Sequence, residues 1–104
     1  MANAHRGEIE AELSHTRYVL CLTLGALAEL EYAYGGEDLI AIAQRFEAGK
    51  ISATDAIRVI GAGLRGGGNA ISDEEVAAMT AEGGAQGFLS IVVRLLRATF
   101  AGEP

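Results

Sequence analysis

Residues 57–69 read IRVIGAGLRGGGN, and this stretch decides what kind of protein the chain is. Within it GAGLRG, residues 61–66, matches the G-x-G-x-x-G pattern of dinucleotide-binding folds letter for letter, behind the apolar Ile57, Val59 and Ile60. That pattern works only where a strand runs into a tight glycine turn and then into a helix whose N-terminus faces a pyrophosphate, inside a βαβ unit. The flanking residues point elsewhere. Ser52 and Asp55 of SATD form a capping-box-like helix start, and Ala53, Ala56, Ile57, Ile60 and Leu64 recur at helical spacing. Residues 57–60 therefore belong to a helix already begun. No helix opens on the third glycine, because GGGN and then Ser72 restart the chain. No second strand with a terminal acid follows about 20 residues later. A small nucleotide-cofactor-binding enzyme at Gly61–Gly66 is thus the remote alternative.

Gly61 and Gly63 inside a helix cost about 1 kcal/mol each relative to Ala. Gly61 lies on the apolar stripe, one turn from Ile57 and Leu64, where a missing side chain lets a neighbouring helix approach. Tolerance near a fraying helix end explains it equally well, and both readings stay open.

Working outward, EIEAEL (8–13) alternates, with Ile9, Ala11 and Leu13 on one face and Glu8, Glu10 and Glu12 on the other, the period of a half-buried strand. YVLCLT (18–23) supplies β-branched, aromatic and apolar residues for a second strand across a turn at SHTR. Pairing Leu13 with Tyr18 sets Ala11 opposite Leu20 and Ile9 opposite Leu22, so six apolar side chains share a face. Thr23 caps a helix that ends at Tyr34, with Gly35 at the left-handed position. A second helix over 37–48 carries Leu39, Ile42, Ala43 and Phe46 at i, i+3, i+4 and i+7 and stops at Gly49. The SATD helix is third. Ser72 and Glu75 cap a fourth, with Val76 and Met79 facing inward and Gly83 and Gly84 ending it. A fifth runs from about Ala85 to Phe100.

The expected fold is α+β and mostly α, an N-terminal antiparallel β-hairpin followed by about five short helices. It forms one domain over 1–104, with a flexible tail at 1–7, the hairpin at 8–23 and the helical part at 24–101.

A chain of 104 residues holds one domain that buries about two-thirds of its unfolded surface. Its net charge of −6, with eight scattered Lys and Arg, argues against a nucleic-acid partner. The lone Cys21 cannot close an internal disulfide or build a thiolate metal cage. The apolar run from Tyr18 to Ala28 is broken by Thr23 and is shorter than the ~20 residues of a membrane span. The first 13 residues lack a signal-peptide core. The expected setting is a reducing cytoplasm, with no membrane contact.

Glu8, Glu10 and Glu12, about 7 Å apart along a strand, offer carboxylates but no partner base, and read as the wet side of a sheet. Their opposing residues, Val19, Cys21 and Thr23, are more apolar than such a face needs, so the helices or another chain cover the hairpin and its edges. His5, His15 and Ser14 stand in a tail and a turn with no ligand spacing or nucleophile–base arrangement. No catalytic, cofactor-binding or metal residues are assigned. The last helix is more informative. Phe88, Ile91, Val92, Leu95 and Thr99 form one stripe, and Leu89, Val93, Leu96 and Phe100 a second about 120° away. Either both stripes meet the domain's own elements, or Leu89, Val93, Leu96 and Phe100 dock a partner helix or another subunit.

RGEIEAEL, YVLCLTLGALAELE, ISATDAIRVIGAGLRGGG with ISDEEVAAM, and IVVRLLRATF together resemble the small tail-assembly-chaperone-like proteins encoded among the tail genes of bacterial gene transfer agents and related tailed phages, a family also described as tail tube. The resemblance runs from Arg6 to Phe100. It implies a non-enzymatic protein of the bacterial cytoplasm that coats a helical tape-measure protein until tube subunits polymerise around it. Tape-measure protein, tail tube subunits and further copies of the chain are the implied partners. It also leaves a structural component retained in the particle as the alternative. Tyr32 and Tyr34 are more aromatic than the family pattern, and no individual binding residue is carried over.

Overall fold

A computed structural model describes residues 2–100. A 3-10 turn at Ala4–Arg6 leads into strands β1 (Glu8–Leu13) and β2 (Thr16–Cys21). Helices α1 (Leu24–Ala33), α2 (Leu39–Glu47), α3 (Ala53–Gly66), α4 (Asp73–Ala77) and α5 (Ala85–Phe100) follow. The expected α+β, mostly helical order is observed.

The hairpin turn is tighter than expected. Ser14 and His15 both adopt left-handed backbone, with φ of 51° and 66°, so two residues close the turn and Leu13 pairs with Thr16, Ala11 with Tyr18 and Ile9 with Leu20. This corrects the expected Leu13–Tyr18 pairing by two residues. Because the slip is even, every side chain keeps its face. Leu13, Ala11, Leu20 and Leu22 are buried, with Ile9 and Tyr18 packed against them. Left-handed backbone costs L-residues about 1–2 kcal/mol each. A tertiary anchor offsets this: the Ser14 N–H donates to the Thr80 carbonyl at 2.7 Å, and the Thr80 N–H donates to Ser14 Oγ at 3.1 Å.

Helix starts follow the side chains that cap them. Thr23 accepts from the Ala26 N–H at 3.1 Å, and Ser52/Asp55 and Ser72/Glu75 form complete capping boxes. α1, α2 and α3 end alike, each with a glycine in left-handed backbone just beyond the cap: Gly35, Gly49 and Gly68. In each, the next N–H returns to a carbonyl in the last turn, Gly36 to Glu31, Lys50 to Arg45 and Asn69 to Leu64, the Schellman arrangement. α4 departs from expectation. It ends at Ala77 rather than at Gly83 and Gly84, because the chain beyond it runs back to pin the hairpin turn through Thr80.

α3 is the hub, contacting β2, α1, α4 and α5. Six consecutive residues, Val59 to Leu64, are buried, so this turn and a half is enclosed on all sides. There the glycines admit neighbours. A Cβ on Gly63 would lie 2.6 Å from Leu95 Cδ2, and one on Gly61 would lie 2.1 Å from Asp73 Oδ1. Cβ atoms on Gly66 and Gly67 would each lie 2.0 Å from a β2 carbonyl oxygen, of Cys21 and Val19 respectively. Of the two open readings of Gly61, close approach holds, although the visitor is the Asp73 side chain rather than a helix backbone. Arg65 uses that opening. It pairs with Asp73 at 3.1 Å and with Glu29 of α1, and donates to the Ile71 carbonyl at 2.7 Å. Burial works against its charge, but these carboxylate partners outweigh it and raise its pKa.

A second polar knot sits where α1, α2 and α3 meet. The Tyr34 hydroxyl donates to Asp55. Its ring stands edge-on to Phe46 at 6.3 Å and takes Arg58 and Arg45 at 5.1 and 5.8 Å from its centre. Burial, reinforced by the Asp55 hydrogen bond and charge, pushes Tyr34 up to about 12. Burial also acts to raise Asp55, but hydrogen bonds from Ser52 and Tyr34 and the charge of Arg45 prevail and hold it below its usual value.

Gly66→Ala drives a methyl into the Cys21 carbonyl and is expected to cost about 3 kcal/mol. Gly25→Ala, in α1 with only Thr23 Oγ1 at 3.9 Å, is expected to add about 0.5 kcal/mol. Urea denaturation of both variants checks the contrast. For the Tyr34–Asp55 pair, Asp55 contributes stability above its unfolded pKa that is lost as pH falls through its lowered folded value. Tyr34 contributes stability that is full below its ordinary 10.0 and lost as pH rises towards 12. Tyr34→Phe is expected to lower stability at neutral pH by about 1 kcal/mol. The deficit should shrink between pH 10 and 12, which denaturation curves across that range would register.

Candidate partner-binding surface

The sheet offers little to a partner. On its polar face, Glu8 and Glu10 accept from the Asn3 and Ala2 backbone N–H groups at 2.8 and 3.3 Å, and the Cys21 thiol donates to the Arg6 carbonyl at 3.5 Å. Residues 2–6, expected as part of a tail, thus lie over the face whose Val19 and Cys21 looked too apolar for water. Arg17 and Arg6 approach Glu10 and Glu8 at 3.8 and 3.9 Å, and Glu12 is exposed. Burial, then the Glu8 charge, raise the Cys21 thiol against the opposing pull of Arg6, so it stays protonated and weakly nucleophilic at neutral pH. On each sheet edge one outward carbonyl is taken up by a side chain. Asn69 Nδ2 donates to the Val19 carbonyl at 2.9 Å on the β2 side, and Arg94 donates to the Glu10 carbonyl on the β1 side.

His5 and His15 are exposed, and among the described residues no three His, Cys, Asp or Glu side chains gather to hold a metal. No helix among them is long and apolar enough to cross a membrane. The core carries no buried polar or charged side chain among the described residues.

Two apolar grooves lie along α5. One, of about 340 Å³, opens between α3, α4 and the first turns of α5, with Ile57, Ile60, Val76, Met79, Phe88 and Leu89 in its walls. The other, also about 340 Å³, lies between α2 and the last turns of α5 and includes Ile40, Ala43, Leu96 and Phe100. The expected docking stripe is therefore divided. Leu89 lines the first groove, and Val93 is half-buried and lines neither. Leu96 is 6% exposed and belongs to the core, while Phe100 is 41% exposed beside Ile40. Phe88, placed by periodicity in the stripe with Ile91, Val92, Leu95 and Thr99, is half-buried and shares the first groove with Leu89.

The sequence reading passed over a further apolar face. Leu24 and Tyr32 of α1 are 83% and 89% exposed. With Ala28 they recur at i, i+4 and i+8, opposite the buried Ala26 and Leu30. That spacing of four was the available signal.

Leu96→Ala is expected to cost about 2–5 kcal/mol. Phe100→Ala is expected to cost under about 1 kcal/mol, because much of its ring already meets water. Denaturation midpoints separate the core position from the surface one.

A family model described as phage tail tube protein, GTA-gp10, matches residues 6–102. No curated protein and no solved structure matches the chain. The match takes in both strands, all five helices and both grooves. The chain belongs to this gene transfer agent and phage tail family, described as phage tail tube protein, GTA-gp10.

Proposed function

We propose that this chain is a non-enzymatic tail assembly chaperone that binds a helical tape-measure protein during tail morphogenesis. One contrast carries the reading: α3 crowds the β2 edge at Gly66 and Gly67, and Asn69 and Arg94 each take one outward carbonyl of the sheet, whereas apolar grooves between helices stand open. A subunit that builds a wall by adding strands to its neighbours needs a free edge. A subunit that shields an amphipathic helix needs an apolar groove. The arrangement supports the second task. Leu89 and Phe100 of the expected stripe serve as contacts here, and Leu96 acts by holding α5 in place.

The family's description as a tail tube protein favours a second reading, a structural component kept in the finished particle. Co-expression with a tape-measure protein of the same tail system is expected to raise that protein's soluble fraction and yield a complex that co-purifies. Purified particles are expected to hold the chain at trace level only. Stoichiometric retention would favour the structural reading, and failure to associate in mild salt would remove the chaperone reading.

A further inference from the structure

We propose that the groove between α3, α4 and α5 is the seat of an amphipathic α-helix from another protein, one whose apolar face is flanked by Lys or Arg. This rests on the chaperone reading and specifies its partner. The floor is apolar, with Ile60 and Val76 buried, and Ile57, Met79, Phe88 and Leu89 half-exposed around them. Met79 gives one wall an unbranched, adaptable side chain, as surfaces that accept varied helices use. A helix laid in such a groove inserts residues at i, i+3 or i+4, and i+7.

Charge selects the partner. From Gly66 to Val93, the segment that builds two of the three walls, the chain has no Lys, Arg or His but carries Asp73, Glu74, Glu75 and Glu82. Asp73 is held by Arg65, and Glu75 closes the α4 capping box. Glu74 and Glu82 are exposed and form no ion pair among the described residues. Glu74 stands three residues before Ala77, and Glu82, which lines the adjoining pocket with Ser14, His15 and Thr80, stands three before Ala85; both alanines line the groove. On the α3 side Lys50, exposed and without an ion pair among the described residues, stands beside the lining Ile51, so the surroundings of the groove carry two free carboxylates against one free cation. A cationic helix gains from that balance, whereas a second copy of this chain, at net charge −6, meets like charge.

The probes are two model helices of about 14 residues, four turns, with one leucine pattern. One carries Lys and the other Glu on the flanks. Fluorescence anisotropy with the full chain is expected to show saturable binding of the Leu/Lys helix and at least tenfold weaker binding of the Leu/Glu helix. Leu89→Asp, and separately Glu74→Lys with Glu82→Lys, are expected to weaken Leu/Lys binding at least tenfold, with circular dichroism and melting unchanged. Phe100→Ser, in the other groove, should leave it within twofold. The charge-reversed pair lies on the exposed surface and keeps the test valid if Leu89→Asp fails to fold. Equal binding of the two helices, or Leu/Lys binding indifferent to the groove variants, overturns the proposal. So does concentration-dependent self-association abolished by Leu89→Asp, which would assign the groove to a second copy. The same variants assayed against the tape-measure protein keep the two readings apart. Its retention by groove variants sinks the groove alone. No association with the wild type sinks the chaperone reading, while the model helices still report on the groove.

Discussion

The approach of the α3 backbone to the β2 backbone is the constraint on which the structure depends. The Cys21 and Val19 carbonyls occupy the places where Cβ atoms of Gly66 and Gly67 would stand. An α-hydrogen of each glycine therefore points at a strand oxygen, the geometry of a weak Cα–H···O contact. From that seat the rest of the helix is placed. Gly63 receives Leu95 of α5, and Gly61 receives Asp73 of α4. Asn69, just past the helix, reaches back to the Val19 carbonyl. Helical glycines cost about 1 kcal/mol each against alanine. Here the neighbours' dispersion contacts, unreachable past a methyl, offset that cost.

The same property explains why the segment imitates a nucleotide fingerprint. Both arrangements need positions without a Cβ so that another group can come close to the backbone. In a dinucleotide fold the visitor is a pyrophosphate, drawn to the positive end of a helix by its dipole and free N–H groups. In this chain Gly61–Gly66 occupy the C-terminal half of α3, where the dipole is negative and the N–H groups are already used within the helix. Protein atoms fill the spaces. The letters agree while the field has the opposite sign.

The legible parts of the fold were those written in local chemistry. Thr23, Ser52 and Ser72 cap the helices they precede, and Gly35 and Gly49 mark ends by needing left-handed backbone. The alternating faces of β1 and β2 survive even a register error, because a slip of two preserves the pleat. The misjudged features depend on distant residues. Ser14 and His15 are poor candidates for a two-residue turn by propensity, and Thr80 holds them there. The same anchor draws the chain out of α4 at Ala77. The site was legible only in part. Periodicity showed that α5 is apolar on two sides, but which side stays open depends on α2 and α4, whose positions no single stripe encodes. So Leu96 went to the core, and Phe88 joined Leu89 in a groove.

A two-stranded sheet is not stable alone in water. This one persists because α3 and α5 pack against it and because Asn69 and Arg94 take up outward carbonyls on its two edges. Using the helices in this way leaves apolar surface elsewhere. α5 turns one side to β1 and α3, and α3 meets four elements. The short α4 is too small to close the space beside Ile57 and Phe88, and α2 leaves Ile40 and Phe100 uncovered. In a domain this small, surface outgrows core, so the fold cannot cover every stripe its helices carry. α3 crowds the β2 edge and Arg94 takes one carbonyl of the β1 edge, while the apolar openings lie between helices. The helical partner proposed for this chain would cover the apolar side chains that the fold itself leaves open.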